Sequence, residues 1–254
     1  MKVAVLTKEV PDLEAQVRVA AGGASLDIEK QRVLNFFDEI AVEAALQLKE
    51  SAEAEAYAVT AGAGTGIDAL RRALAMGIPG AFHVDDPELA DANPLTVARA
   101  LAAFLEKEGF DLIIAGKQAT DDEAGLIGPM VAEILGIPCV VGITGLEASG
   151  SSVTVTRLTD AGTEKYEVPL PALVTAEKGL FEPRVPAVTG VMTAMRAKID
   201  KYSLADLGVE AAPPFKVLGY QPPAKRAAVK MITGEPAEVA AELVQLLRDE
   251  AKAL

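Results

Sequence analysis

The chain has 254 residues, half of them apolar, which is enough for one large domain, or a domain with an extension, around a true core. Its 37 acidic residues against 24 basic ones give a formal charge of -13, which repels a phosphate backbone and argues against nucleic acid as a partner. A single cysteine, Cys139, and a single histidine, His83, exclude disulfide frameworks, CxxC redox pairs and the usual zinc clusters, so any redox chemistry has to come from a bound cofactor.

Met1 to Leu6 lead straight into a strand rather than a signal peptide, and no run is apolar for long enough to insert in a membrane. A cytoplasmic protein is expected. Strands are predicted at Lys2 to Thr7, Ala54 to Thr60, Ala81 to Val84, Leu112 to Ala115 and Cys139 to Ile143, with helices between them. From Asp38, the residues Ile40, Ala41, Ala44, Ala45 and Leu48 keep the helical period, and a second helix carries Ile67, Leu70 and Leu74. The third opens on Asn93-Pro94, a cap residue followed by proline at the first helical position, and lines Leu95, Ala98, Leu101, Ala102 and Leu105 on one face. A fourth is expected from about Gly125 to Leu135, with Pro129 close enough to its start to be tolerated. Strands alternating with helices in this way predict a mostly parallel, doubly wound sheet.

Beyond Ile143 the pattern changes. Ser152 to Leu158, a turn at Asp160-Ala161-Gly162 and Lys165 to Leu170 predict a β-hairpin appended to the sheet, and Ala172 to Ala176 one more strand. A mixed stretch follows. The proline-rich segments Ala211-Ala212-Pro213-Pro214 and Gln221-Pro222-Pro223 predict an extended arm, which ends in a helix opened by Pro236 with Val239, Leu243, Leu246 and Leu247 as its apolar stripe. The expected division is an α/β domain over residues 1–200 and an arm with its terminal helix over 201–254.

Ligands of an open parallel sheet bind beyond the carboxyl ends of its strands, and four loops there hold candidate residues. They are Thr7 to Asp12, Asn35 to Asp38, Ala61-Gly62-Ala63-Gly64-Thr65-Gly66, and Gly116 to Gly125. The glycine-rich third loop allows backbone amides close to a ligand but lacks the GxGxxG spacing, so a plain strand-to-helix turn is the favoured reading. The fourth lies between a buried strand and a helix N-terminus, a natural phosphate site. Its acids Asp121, Asp122 and Glu123 read either as favourable charge on that helix end or as ribose ligands, with Lys117 offsetting them. His83 and Cys139 read as structural residues, the cysteine as a small buried apolar one.

Several of these stretches resemble the electron transfer flavoprotein beta family. They are Asn35-Phe36-Phe37-Asp38-Glu39-Ile40-Ala41 with the helix it opens, Gly116-Lys117-Gln118-Ala119-Thr120-Asp121-Asp122, Val155 to Glu164, Leu170 to Ala176, Leu180-Phe181-Glu182-Pro183-Arg184, and Asp206 to Val209. The resemblance is collinear over nearly the whole chain. It implies a Rossmann-like, adenine-nucleotide-hydrolase-like domain that forms a heterodimer with an alpha subunit, shares an FAD held mainly by that subunit, and carries a structural AMP. Electrons would pass from acyl-CoA and related dehydrogenases of fatty-acid oxidation, through the flavin, to a quinone oxidoreductase and the quinone pool.

By residue, the resemblance implies AMP binding at Leu6, Asn35, Phe36, Phe37, Asp38 and Ala61. It implies the same for Gly116, Lys117, Gln118, Ala119, Thr120, Asp121, Asp122, Glu123, Ala124, Gly125, Leu126 and Ile127. The surface from Val10 to Leu13 and Phe37 would approach the flavin ring, with Leu13 standing where some members have an aromatic residue. Leu180 would protrude into an apolar pocket of partner dehydrogenases. Ala124-Gly125-Leu126 replace polar side chains of the family, leaving backbone donors there. Members that bifurcate electrons with a second FAD tend to have glycine where Asp122 stands, so AMP is the expected ligand. A universal-stress-like AMP or ATP module, or a scaffold with an empty pocket, is the competing reading; neither a catalytic side chain nor a metal ligand is expected.

Overall fold

The computed structural model describes residues 1–29, 32–64, 66–90, 92–213, 215–224 and 228–254. Thr65 in the glycine-rich loop and Pro214 in the arm, both read from the sequence above, lie outside the described residues. The chain begins with β1 (Lys2–Leu6), then two pairs of short strands, β2 (Glu9–Pro11), β3 (Val17–Val19), β4 (Leu26–Ile28) and β5 (Arg32–Leu34). Next come α1 (Phe36–Ala52), β6 (Glu55–Gly62), α2 (Ile67–Met76), β7 (Gly80–Asp85), α3 (Pro94–Glu108) and β8 (Leu112–Gly116). The rest is α4 (Ile127–Leu135), β9 (Cys139–Ser149), β10 (Ser152–Thr159), β11 (Gly162–Pro169), β12 (Ala172–Ala176), α5 (Val188–Arg196), β13 (Asp200–Tyr202) and α6 (Pro236–Asp249).

Nine strands form one sheet in the order β11-β10-β9-β12-β8-β1-β6-β7-β13. From β9 to β13 the pairing is parallel, and β10 and β11 extend it as the antiparallel hairpin expected from the sequence. Alternation along β1 assigns the two faces. Val3 and Val5 pack in a core with α1 and α2, whereas Ala4 and Leu6 pack in a second core with α3 and α4, as a doubly wound sheet requires. The chain leaves β1 for β6 and β7 on one side, then returns to β8 on the other. The β1–β8 pair is therefore the place where strand order reverses, and the crevice above such a pair is where ligands bind.

Local chemistry accounts for the helix ends. Asn93 accepts from Thr96 N at 2.9 Å while Pro94 occupies the first turn of α3, and Gly109 closes the helix at a positive φ of 67°. The structure adds α5 and β13 to the stretch left as mixed. β13 pairs with β7 across position 200, and Leu204 is buried in the second core. The arm departs later, where Ala212 N donates to Thr96 Oγ1 at 3.0 Å and Asn93 Nδ2 donates to the carbonyl of Pro213 at 2.8 Å. Among the described residues, no helix is long and apolar enough to cross a membrane.

Candidate functional site

The loops after β1, β6 and β8 meet the start of α1 at the carboxyl edge of the sheet. Backbone bonds fix the first two. Thr7 N donates to the carbonyl of Val59 at 2.8 Å, and Thr60 Oγ1 donates to the carbonyl of Thr7 at 2.6 Å. Leu6 lies beneath them, buried. Beyond Ala61, the glycine-rich loop is tied by Gly64 N to Asp85 Oδ1 at 2.7 Å and by Gly66 N to Glu9 Oε2 at 3.1 Å. Those two amides are thus spent within the protein, as in the plain turn that the sequence favoured.

Asn35 and Asp38 hold the other loops together. Asn35 does not cap α1; its Nδ2 donates to the carbonyl of Gln118 at 2.9 Å and its Oδ1 accepts from Thr120 N at 3.1 Å. Asp38 accepts from Lys8 N at 2.8 Å and from Gly116 N at 3.1 Å, joining the ends of β1 and β8. Burial pushes the Asp38 carboxyl up to about 7, against the hydrogen bonds it receives and the charge of Lys8. Phe36 packs against the core and meets Phe37 edge-on, with ring centroids 5.3 Å apart. A Cβ on Gly116 would lie 2.8 Å from that of Phe37, so only glycine lets β8 end so close to α1.

The loop from Lys117 to Leu126 arrives at α4 with its acids already committed. Lys8 Nζ donates to Asp121 Oδ1 at 2.7 Å and to Asp122 Oδ2 at 3.1 Å. Burial works against the Lys8 charge, but these carboxylates outweigh it and raise the pKa. Asp122 Oδ1 also accepts from Ala124 N at 3.0 Å, and Glu123, at a φ of 50°, donates to the carbonyl of Ala119 at 2.8 Å. Lys117 pairs with Glu177 rather than facing the loop. Gly125 turns at a φ of 61° into α4, which has no side-chain cap. The first amides of a helix have no acceptor within it, so those of Ile127 and Gly128 are donors at the positive end of the α4 dipole. A Cβ on Gly128 would meet Thr175 Cγ2 at 2.9 Å, which seats this helix end tightly on β12. Backbone donors at a helix N-terminus are chemically suited to an anionic oxygen.

The family model of the electron transfer flavoprotein domain matches residues 25–207. The electron transfer flavoprotein subunit beta of Bacillus subtilis (strain 168) is 37% identical over 258 residues, covering 100% of each chain. That of Bos taurus is 38% identical over 242 residues, covering 92% of this chain and 94% of its own, and that of Homo sapiens 37% identical over 241 residues with the same coverage. The chain belongs to the electron transfer flavoprotein beta-subunit family.

As a beta chain of an electron transfer flavoprotein, it works as half of a heterodimer that carries electrons, and the family assignment calls for no reacting side chain of its own. Two surface expectations change. Leu180 does not protrude: it is only 6% exposed, packed into the core under α1, because the turn begun by Glu177 folds it inward. The exposed apolar residues follow it, at Val185, Val188, Val191, Met192 and Met195 along the approach to α5 and on that helix. Of the stretch expected near the flavin, Leu13 is 69% exposed but Val10 is buried. Cys139, read as buried, is exposed at the start of β9, with its thiol pKa raised by partial burial. His83 is fully buried on β7, with Nδ1 4.0 Å from Asp85 Oδ2.

Sequence reasoning named Lys8 in a loop without giving it a role, and it missed Glu177 and the Arg184–Glu43 pair. A lysine directly after the first parallel strand was the available signal for the first. The other two depend on partners 60 and 141 residues away in sequence.

Proposed function

We propose that this beta chain closes over an FAD held mainly by the alpha subunit, and that it binds AMP between β1, α1 and the loop 116–127. Acyl-CoA and related dehydrogenases would supply the electrons and a quinone oxidoreductase would take them, in the cytoplasm. The observation that carries the nucleotide reading is the α4 N-terminus, left without a side-chain cap and preceded by Gly125 at a positive φ. Its donors are backbone amides, which suits a chain with Ala124, Gly125 and Leu126 in place of polar residues. Asp121 and Asp122 would repel a phosphate, but Lys8 bridges both carboxylates and offsets their charge.

The bound flavin supplies the redox chemistry, while the polypeptide supplies binding, orientation and exclusion of water. Leu13, exposed beside β2, offers an apolar cover for a ring system on the facing subunit. For the dehydrogenases, the exposed valines and methionines on and before α5 are the docking surface this reading prefers, in place of Leu180. Small apolar anchors suit partners that must release quickly. Residues 201–254 serve the alpha subunit: once past the anchor at Ala212, the apolar side chains Leu218, Val229 and Met231 are largely exposed within this chain, and Leu243 of α6 is nearly half exposed.

Purification with and without the alpha subunit tests the reading. The expected result is a colourless beta chain alone and a yellow complex that releases one FAD and one AMP on denaturation. Two flavins per heterodimer would replace AMP by a second FAD. A colourless complex, or an isolated chain that turns over a substrate unaided, would overturn the proposal.

A further inference from the structure

Two amides from opposite sides of the strand-order reversal converge on one buried carboxylate. Asp38, 6% exposed in the first turn of α1, accepts from Lys8 N through Oδ2 and from Gly116 N through Oδ1. Asn35 extends the brace to Gln118 and Thr120, so two side chains of one turn hold the root of the 116–127 loop. The fit leaves no slack, since a Cβ on Gly116 would come within 2.2 Å of Asp38 Oδ1.

The ionised carboxylate is a full acceptor on both oxygens. Protonation makes one of them a hydroxyl, a weaker acceptor that also carries a proton to place, so the hold on one of the two amides is weakened. The surroundings nonetheless disfavour the ion, because burial holds the Asp38 pKa at about 7. On the β1 side the charged neighbour is Lys8, shared with Asp121 and Asp122. On the β8 side Lys117 is taken by Glu177, and on α1 Glu39 is taken by Arg72.

We propose that Asp38 is the positioning residue that sets the 116–127 loop for an adenine nucleotide's phosphate, and that its protonation loosens the loop and releases the nucleotide. This rests on the nucleotide reading above. The sign separates it from a purely structural role. A carboxyl whose pKa is raised on folding contributes stability that is fully present below the ordinary carboxylate range and is lost as pH rises through about 7. Asp38 thus favours the fold more strongly over the same window in which it lets the loop go.

The test uses the complete heterodimer, wild type and Asp38→Asn, dialysed at several pH values, with the adenine nucleotide that remains measured after denaturation. Retention by the wild type should fall about tenfold from pH ~8 to ~6, and Asp38→Asn should retain little at either end with a flat profile. A flat profile in the variant separates Asp38 from any other group that titrates in this window. Amide exchange of Gly116 to Ile127, corrected for its intrinsic pH dependence, needs no nucleotide. Protection should fall towards low pH in the wild type and stay flat in Asp38→Asn. A wild-type loop equally protected at both ends of the range overturns the brace. Absence of adenine at every pH overturns the nucleotide reading instead, and exchange alone then decides the role of Asp38.

Discussion

Arg184 closes on Glu43 through three hydrogen bonds: its backbone N and Nε donate to Oε2 at 3.1 and 2.8 Å, and Nη2 donates to Oε1 at 2.7 Å. The carboxylate is 3% exposed on α1, and Nη1 also reaches Glu50 at 2.7 Å. This grip holds the segment that leads from Leu180 to the exposed residues of α5. Burial opposes the Glu43 charge, but the bonds from Arg184 prevail and lower its pKa.

Removing the arginine strands a buried carboxylate. Arg184→Ala is expected to cost about 2–3 kcal/mol in urea unfolding, less than the roughly 3–5 of a fully buried pair because the guanidinium is partly exposed. The contribution is present above the ordinary carboxylate range and is lost as pH falls through the lowered Glu43 value. The difference between wild type and variant should therefore shrink in acid, below about pH 4.

Leu180, which the resemblance gives a docking role, is buried in the core, whereas Val188 is exposed at the start of α5. Leu180→Ala empties part of the core and should lower stability by about 2–4 kcal/mol, with the dehydrogenase KM little changed in the refolded complex. Val188→Asp lies on the surface and should leave the melting temperature within about 2 °C. Its effect should be a rise of about tenfold in the KM for dehydrogenase, with flavin content intact. Stopped-flow reduction of the heterodimer checks both, and a Val188→Asp complex with wild-type kinetics would remove α5 from docking.

Lys8 is the counter-charge of the phosphate loop. Lys8→Met should leave Asp121 and Asp122 uncompensated beside the α4 N-terminus and lower adenine nucleotide retention about tenfold, partly recovered at high salt as the repulsion is screened. Analysis of nucleotide released from the purified heterodimer at two ionic strengths reads this out.

Asn93 serves both a helix and the arm. Asn93→Ala loses the cap of α3, worth about 1 kcal/mol, and also the bond to Pro213. Limited proteolysis should then cut the isolated beta chain faster near Phe215 to Tyr220, whereas the surface variant Glu88→Ala should not.

The doubly wound architecture was readable because short apolar runs such as β6 and β8 alternate with helices of 3.6-residue period, and Asn93-Pro94 announced α3 by cap chemistry. α5 and β13 were not. Val188–Arg196 carries Gly190 and two threonines, weak helix formers, and the glycine is there because a Cβ would come within 2.6 Å of the carbonyl oxygen of Ala75 on α2. β13 has three residues, and only its pairing with β7 makes it a strand. At the site, the loops could be listed from the sequence but not their internal bonds. The Asp38 brace needs amides 30 and 78 residues away, and no local pattern records that. The burial of Leu180 was not readable for the same reason, since a turn decides whether its side chain faces in or out.

The anchor at Ala212 and a second tie, from Tyr220 N to the carbonyl of Gly23 at 2.8 Å, turn the C-terminal segment into a leash of known origin. About sixteen residues lead from Tyr220 to Pro236, a contour of at most ~55 Å. A larger subunit that seats α6 and also faces the sheet edge is gripped at two points joined by that leash, so letting go of one leaves the other at high local concentration. Transient gaps between the subunits would close again before the pair parted, and exchange of partners between complexes would be slow even where each contact alone is weak.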